Sequence, residues 1–197
     1  MPGAAEIRDR LMRPWVHGHA EDLRGLTVTE TLDLSGLTLC GVDFRGTRFS
    51  EGIKAIGTRF EGLSWFGGCR FAQADFTKAL FVNDARFEAS VFDAPPRFDE
   101  AEFRGIARFD AARMPGGSAR RLTCYGNASF AAARAGTLDL GDSEFLGGFW
   151  AQSAAFDPGA SVTGAQVHGR LWLRGAMRGN MPLTPDAFGL VFGYAWR

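Results

Sequence analysis

Large apolar residues recur at steps of five and six along this chain. The run is Leu34, Leu39, Phe44, Phe49, Phe60, Phe71, Phe76, Phe81, Phe87, Phe92, Phe98, Phe103, Phe109 and Met114. From Phe81 the steps alternate five and six, a period of eleven. A small or compact residue stands two before most of them: Thr47, Thr58, Cys69, Ala74, Ala79, Ala85, Ser90, Pro96, Ala101, Ala107 and Ala112. An eleven-residue period also suits a right-handed coiled coil. That alternative fails, because Pro95, Pro96, Gly105, Pro115, Gly116 and Gly117 fall inside the repeats, and helix interiors do not tolerate them. Five residues also turn a helix by about 500°, which carries the large residues off any one face. In an extended strand, residues i and i−2 point the same way. Each large residue and its small predecessor therefore point inward together, and the residues between them turn the chain. Four such short faces make one coil of a square solenoid, whose narrow axis leaves room for only a small second side chain.

The register continues more loosely after Met114, with inward residues expected at Tyr125, Phe130, Ala135, Phe145, Trp150, Phe156, Val162, Val167 and Leu173. Three joints are ambiguous: Lys54 or Ala55, Trp65 or Phe66, and Ala119 or Arg120 compete for the inward slot. The pattern predicts about seven coils, roughly 30 Å of rod at the ~4.8 Å strand spacing. Each buried Phe removes ~150–250 Å² from water, a few kcal/mol apiece at ~25 cal/mol per Å². The stacked Phe residues are thus read as the stability of the chain and not as a ligand site.

The segments LDLSG (32–36), LTLCG (37–41), VDFRG (42–46) and FAQADFTKALF (71–81) resemble the pentapeptide-repeat family, and residues 85–114 resemble its eleven-residue variant. The resemblance covers roughly residues 32–176. It implies an all-β chain, a right-handed quadrilateral parallel β-helix. On this reading residues 1–31 form an N-terminal cap, with a short helix in 4–13 that stops before Pro14 and with Leu11 and Trp15 over the first coil. Residues 177–197 form a C-terminal cap or interaction tail. The tail AFGLVFGYAWR (187–197) is strongly apolar; it is read as folded on the last coil, with a dimer contact or a docking peptide as the alternative.

Twenty-two Lys and Arg balance 22 Asp and Glu, which argues against a basic nucleic-acid binder and a uniformly acidic chain. Residues 1–110 hold 17 acids against 14 bases, and residues 111–197 hold five against eight, a mild dipole along the rod. Three widely spaced cysteines do not suit a disulfide scaffold. No signal-peptide core and no 18-residue apolar run is present, so a soluble cytoplasmic protein without a membrane role is expected. Cys69 takes a small inward slot, whereas Cys40 and Cys124 are expected to face outward.

No Walker loop, GxSxG or GxGxxG occurs. His17 and His19 read as a surface loop, and His168 lacks an acid partner in the sequence. No catalytic, cofactor or metal-binding residue is expected. The candidate partner-binding residues are Glu88, Asp93, Asp99 and Asp110 on the coils, and Phe188, Phe192 and Trp196 in the tail. Two readings of function follow. One is a non-enzymatic protein-interaction or scaffold module, dimeric through its tail. The other is implied by the resemblance: some pentapeptide-repeat proteins imitate DNA, bind DNA gyrase, and protect it from quinolones or inhibit it. Mimicry needs an acidic face, since duplex DNA carries one charge per ~1.7 Å. The residues that follow successive inward Phe residues are Glu88, Asp93, Asp99, Arg104 and Asp110, but Arg86, Arg97 and Arg108 directly precede three of those Phe.

Overall fold

A computed structural model describes residues 2–196; Met1 and Arg197, the outermost residues of the two expected caps, lie outside the described residues. The chain winds as a parallel β-solenoid with four faces. Face 1 has nine strands, from Ala20–Asp22 to Ala195–Trp196. Face 2 starts at Thr27–Val28 and runs to Met177–Arg178, where Met181–Pro182 closes it as an antiparallel edge. Face 3 has three strands (Leu32–Asp33, Ile53–Lys54 and Ala74–Asp75), continued by single bridges that join Asp75 to Arg97, Arg97 to Ser118 and Asp139 to Ser161. Face 4 has eight strands, from Thr38–Leu39 to Leu190–Val191.

Each face recurs after 21 or 22 residues, as in the pairs Ala20↔Gly41 and Val42↔Ser64, except at the last coil, where Gln166↔Leu190 and Trp172↔Trp196 are 24 apart. Nine strands on face 1 make about eight turns, one more than the spacing predicted. The extra length lies at the ends, beyond residues 32–176. Ala20–Asp22 pair with Gly41–Asp43, and Leu190–Val191 and Ala195–Trp196 pair with the preceding coil. The helix α1 (Ala4–Leu11) covers the first coil with fully buried Ile7 and Leu11.

The core is a set of ring columns, one coil apart. Phe44, Phe66, Phe87, Phe109 and Phe130 stack down face 1 at 4.9–5.5 Å. Phe49, Phe71 and Phe92 do so on face 2, and Phe60, Phe81 and Phe103 on face 4. The small inward slots are where polar atoms can be afforded, because the carbonyl of the previous coil lies within reach. Thr47, Thr58, Ser90 and Ser143 donate their hydroxyls to the carbonyls of Leu23, Leu34, Phe66 and Ala119 at 2.6–2.8 Å. Buried hydroxyls bonded in this way avoid the desolvation penalty of an orphan.

Two kinds of corner turn the chain. After faces 1 and 3 a four-residue turn closes with an N–H of residue i+3 on the carbonyl of residue i, as in Ser90 to Phe87 and Ala112 to Phe109. Its third residue has positive φ, as a type II turn requires. Glycine fills it in the early coils (Gly46, Gly57, Gly68), but Lys78, Ala89, Glu100, Ala111, Arg121, Ala132, Asp142 and Ser153 fill it later with φ of 54–58°. Between faces 4 and 1 the coils touch backbone to backbone. Gly105, Gly126, Gly147, Gly169 and Gly193 line up there, and a Cβ on Gly147 would lie 2.4 Å from backbone atoms of Gly126.

At the ambiguous joints Ala55, Phe66 and Ala119 are buried, and Lys54, Trp65 and Arg120 point outward. Two expected inward residues are overturned. Tyr125 is 52% exposed and Cys124 is buried in its place; Trp150 is 37% exposed and Phe149 is buried. In both coils the slots exchange sizes. Leu122 occupies the small slot and Cys124 the large one, in register with Phe103 and Phe145. Likewise Phe149 stands in register with Ala128, and Ala151 follows it inward. The pair of slots keeps its total volume, as close packing demands, while the large side chain moves by two residues.

Candidate functional site

The first candidates are the carboxylates on the coils. Glu88 and Asp110 stand on face 1, Asp93 on face 2 and Asp99 on face 3, so the four do not share a surface. Each lies close to a guanidinium: Glu88 and Asp110 to Arg108 at 3.7 and 3.6 Å, Asp93 to Arg70 at 2.9 Å, and Asp99 to Arg97 at 3.7 Å. Asp99 and Asp110 also bind the next coil. Asp99 accepts from the Ser118 hydroxyl and, at 3.0 Å, from the backbone N–H of Arg120; Asp110 accepts from the Ser129 hydroxyl and from the N–H of Ala131 at 3.0 Å. Their oxygens tie coils together. The sequence pattern of four acids in five positions spreads round the rod because consecutive repeats occupy consecutive faces.

All three cysteines are buried free thiols. Cys124 fills the face 4 column, and Cys40 lies beneath the N-terminal segment, its backbone N–H bonded to the Leu11 carbonyl at 2.9 Å. The outward placement expected for both is therefore corrected: one follows from the slot exchange, the other from the cap that covers its coil. Burial pushes the Cys69 and Cys124 thiols up to about 12 and raises that of Cys40. A thiol held protonated is a poor nucleophile.

His17 and His19 line a cleft of about 630 Å³ between the segment after α1 and face 1. Trp15, Asp43, Arg45 and Trp65 also line it, with the Arg45 guanidinium 4.6 Å from the centre of the Trp65 ring. The Asp22 carboxylate holds the Arg24 guanidinium at 2.8 Å, and the Asp43 carboxylate holds that of Arg45 at 2.6 Å and reaches that of Arg24 at 3.8 Å. The first of these contacts keeps Asp22 far below the usual carboxylate range. Among the described residues no three His, Cys, Asp or Glu side chains converge as a metal site would need. His168 stacks on Phe192 with ring centroids 4.8 Å apart.

The tail divides into a buried and an exposed part. Phe188 is buried against Phe149 with centroids 5.6 Å apart, whereas Phe192 and Trp196 are 64% and 54% exposed. The parallel register sets Trp196 beside Trp172, and Trp172 beside Trp150. These three indoles form an outward ladder on face 1, with centroids 6.4 and 5.5 Å apart. Phe192 and Tyr194, exposed at the adjoining corner where Tyr125 is exposed three coils earlier, extend this aromatic surface. Sequence reasoning found its last members but missed Trp150 and Trp172, because the tail was read apart from the coils that continue into it. The usable signal was the common spacing: Trp150, Trp172 and Trp196 fall at steps of 22 and 24, close to one coil. No helix among the described residues is long and apolar enough to cross a membrane.

Residues 36–80 match the family model described as pentapeptide repeats (9 copies). No curated protein matches the sequence. The matched residues wind through the early coils, and the strand pairing that begins there continues without a break in register to Trp196. Repeat, four-faced coil and family match agree: residues 36–80 carry pentapeptide repeats, and the described residues wind as one parallel β-solenoid consistent with such repeats.

Proposed function

We propose that the chain is a non-enzymatic protein-interaction module that presents its C-terminal coils to a partner. The observation that supports this reading is the aromatic surface of exposed Trp150, Trp196, Phe192 and Tyr194, with half-buried Trp172 between the two outer indoles, on an otherwise charged rod. Exposed aromatic clusters of this kind mark interaction sites, and Trp and Tyr dominate binding hot spots. The titratable side chains support a structural use for themselves: the carboxylates meet guanidiniums, and the thiols are buried and protonated.

Deleting residues 187–197 is a poor test, since Phe188 covers Phe149 and the last coil would be lost with it. A variant that combines Trp150→Ser with Trp196→Ser keeps the core. Cellular proteins captured on the immobilised chain are expected to be lost from this variant at an unchanged melting temperature. Equal capture by both chains, or none by either, overturns the reading.

A further inference from the structure

The strand Arg170–Trp172 continues through Leu173 into a corner that begins at Arg174. Leu171 and Leu173 are buried, and Arg170 and Arg174 are exposed. Strand alternation puts Arg170 on the outer side with Trp172, and Arg174, exposed in the corner turn that the Ala176 N–H closes on the Leu173 carbonyl, follows Trp172 by two residues. Neither Arg has an ion-pair partner among the described residues, unlike Arg45, Arg97, Arg108 and Arg120 on the other coils. Residues 146–155, 168–177 and 192–196, which carry this part of face 1 and its corners, contain no Asp or Glu. Arg48, Arg113 and Arg134 on face 2 also lack an ion pair among the described residues, but Arg170 and Arg174 flank the indole ladder and leave positive charge open beside apolar area.

We infer that the last three coils of face 1 bind an acidic protein segment, with apolar side chains seated on the indole ladder and carboxylates on Arg170 and Arg174. The inference rests on the interaction reading above and names the chemistry of the partner. Guanidiniums favour planar carboxylates bidentately, and Trp with Arg is the composition of interface anchors.

Two other occupants fit less well. A single-stranded nucleic acid would need ring faces for its bases. Side chains stand upright from a sheet, so stacked indoles offer their edges. A base needs roughly 3.4 Å on each side, more than the 5.5 Å between Trp172 and Trp196 leaves. A second copy docked face to face would set the same two unpaired guanidiniums against their own kind, which repels.

The test displays random 12-residue peptides to the full chain, then measures synthetic versions of the enriched sequences by fluorescence anisotropy. Enriched peptides are expected to carry Asp or Glu among Leu, Phe or Trp. Their affinity is expected to fall at least tenfold with Arg170→Glu plus Arg174→Glu, and separately with Trp172→Ala. It is expected to change less than twofold with Arg113→Glu, on face 2, another Arg without an ion pair. Each variant is measured at an unchanged melting temperature. Enriched peptides that are neutral or basic, or that ignore the face 1 variants, overturn this inference and leave the interaction reading standing. A dT20 oligonucleotide bound more tightly than the peptides at the same residues overturns it. So does a dimer, seen by sedimentation, that Trp172→Ala abolishes. If no peptide is enriched, the interaction reading falls with it.

Discussion

Phe76 and Phe98 stand one coil apart on face 3 with ring centroids at 5.0 Å and planes 7° from parallel. Phe98 also meets Phe87 and Phe109 edge-on at 5.5 and 5.3 Å, so its ring touches both its own column and two successive rings of the face 1 column. Truncation leaves a cavity that two flanking coils cannot close, because their backbones are locked in register. Phe98→Ala is expected to destabilise the chain by about 3–5 kcal/mol. Thermal denaturation checks it, and an unchanged midpoint would mean that the ring is not packed as described.

The fold was legible where size alternates. Every large residue from Leu34 to Met114 that the spacing picked out is buried. Legibility failed at Tyr125 and Trp150 because a rule that assigns the larger aromatic to the core cannot see two slots exchanging volume. Leu122 with Cys124 fills the same space as Ala101 with Phe103. A phenol or an indole N–H, moreover, gains more at the surface than a Phe ring does. The candidate site was half legible for a different reason. Phe192 and Trp196 are conspicuous in a short tail, but Trp150 and Trp172 join them only once 22 or 24 residues are known to make one coil.

The corner glycines act through sterics. Gly147 has no Cβ, and its backbone lies against that of Gly126. Since the obstructing atoms are main chain, nothing can rotate aside. Gly147→Ala is expected to cost about 3 kcal/mol, read from urea denaturation; a loss near that of a surface substitution would show that the corner is looser than described.

At the opposite kind of corner glycine should help. Ala111 holds φ at 55° with its side chain exposed. The left-handed region costs an L-residue about 1–2 kcal/mol, partly offset by the ~0.5–1 kcal/mol of extra unfolded-state freedom that glycine brings. Ala111→Gly is expected to raise stability by up to about 1 kcal/mol. A lower melting temperature would contradict the strain.

The thiols make a pH prediction. Cys69 and Cys124 titrate near 12 in the folded chain because burial disfavours the thiolate. An unfolded thiol titrates near its model value of 9.0. Below that pH both states keep their protons and nothing is lost. Between 9 and 12 the unfolded state releases protons first, so stability falls as pH rises. A thiol-reactive disulfide reagent at pH 8 is expected to modify none of the three cysteines in the native chain, and all three after denaturation. Rapid native labelling would place a thiol at the surface.

Titrating the chain into a DNA gyrase supercoiling reaction, with and without a quinolone, is expected to leave both reactions unchanged. The carboxylates offered by Glu88, Asp93, Asp99 and Asp110 are shared among three faces, each beside an Arg. Protection or inhibition at low micromolar protein would favour the mimicry reading instead.

The return of each face after 21 or 22 residues in all but the last coil restricts how the length of such a chain can change. Removing one residue from a coil turns every later side chain inside out as far as the next corner that can absorb the slip. The glycine corner between faces 4 and 1 has no slack to do so. Removing a whole circuit, such as residues 86–107, joins Ala85 to Arg108 in the place that Ala107 holds in its strand, with each face still in line. Length is therefore counted in circuits, and the rod can be cut shorter like a stack of washers, the indole end carried nearer to the helix by one washer each time.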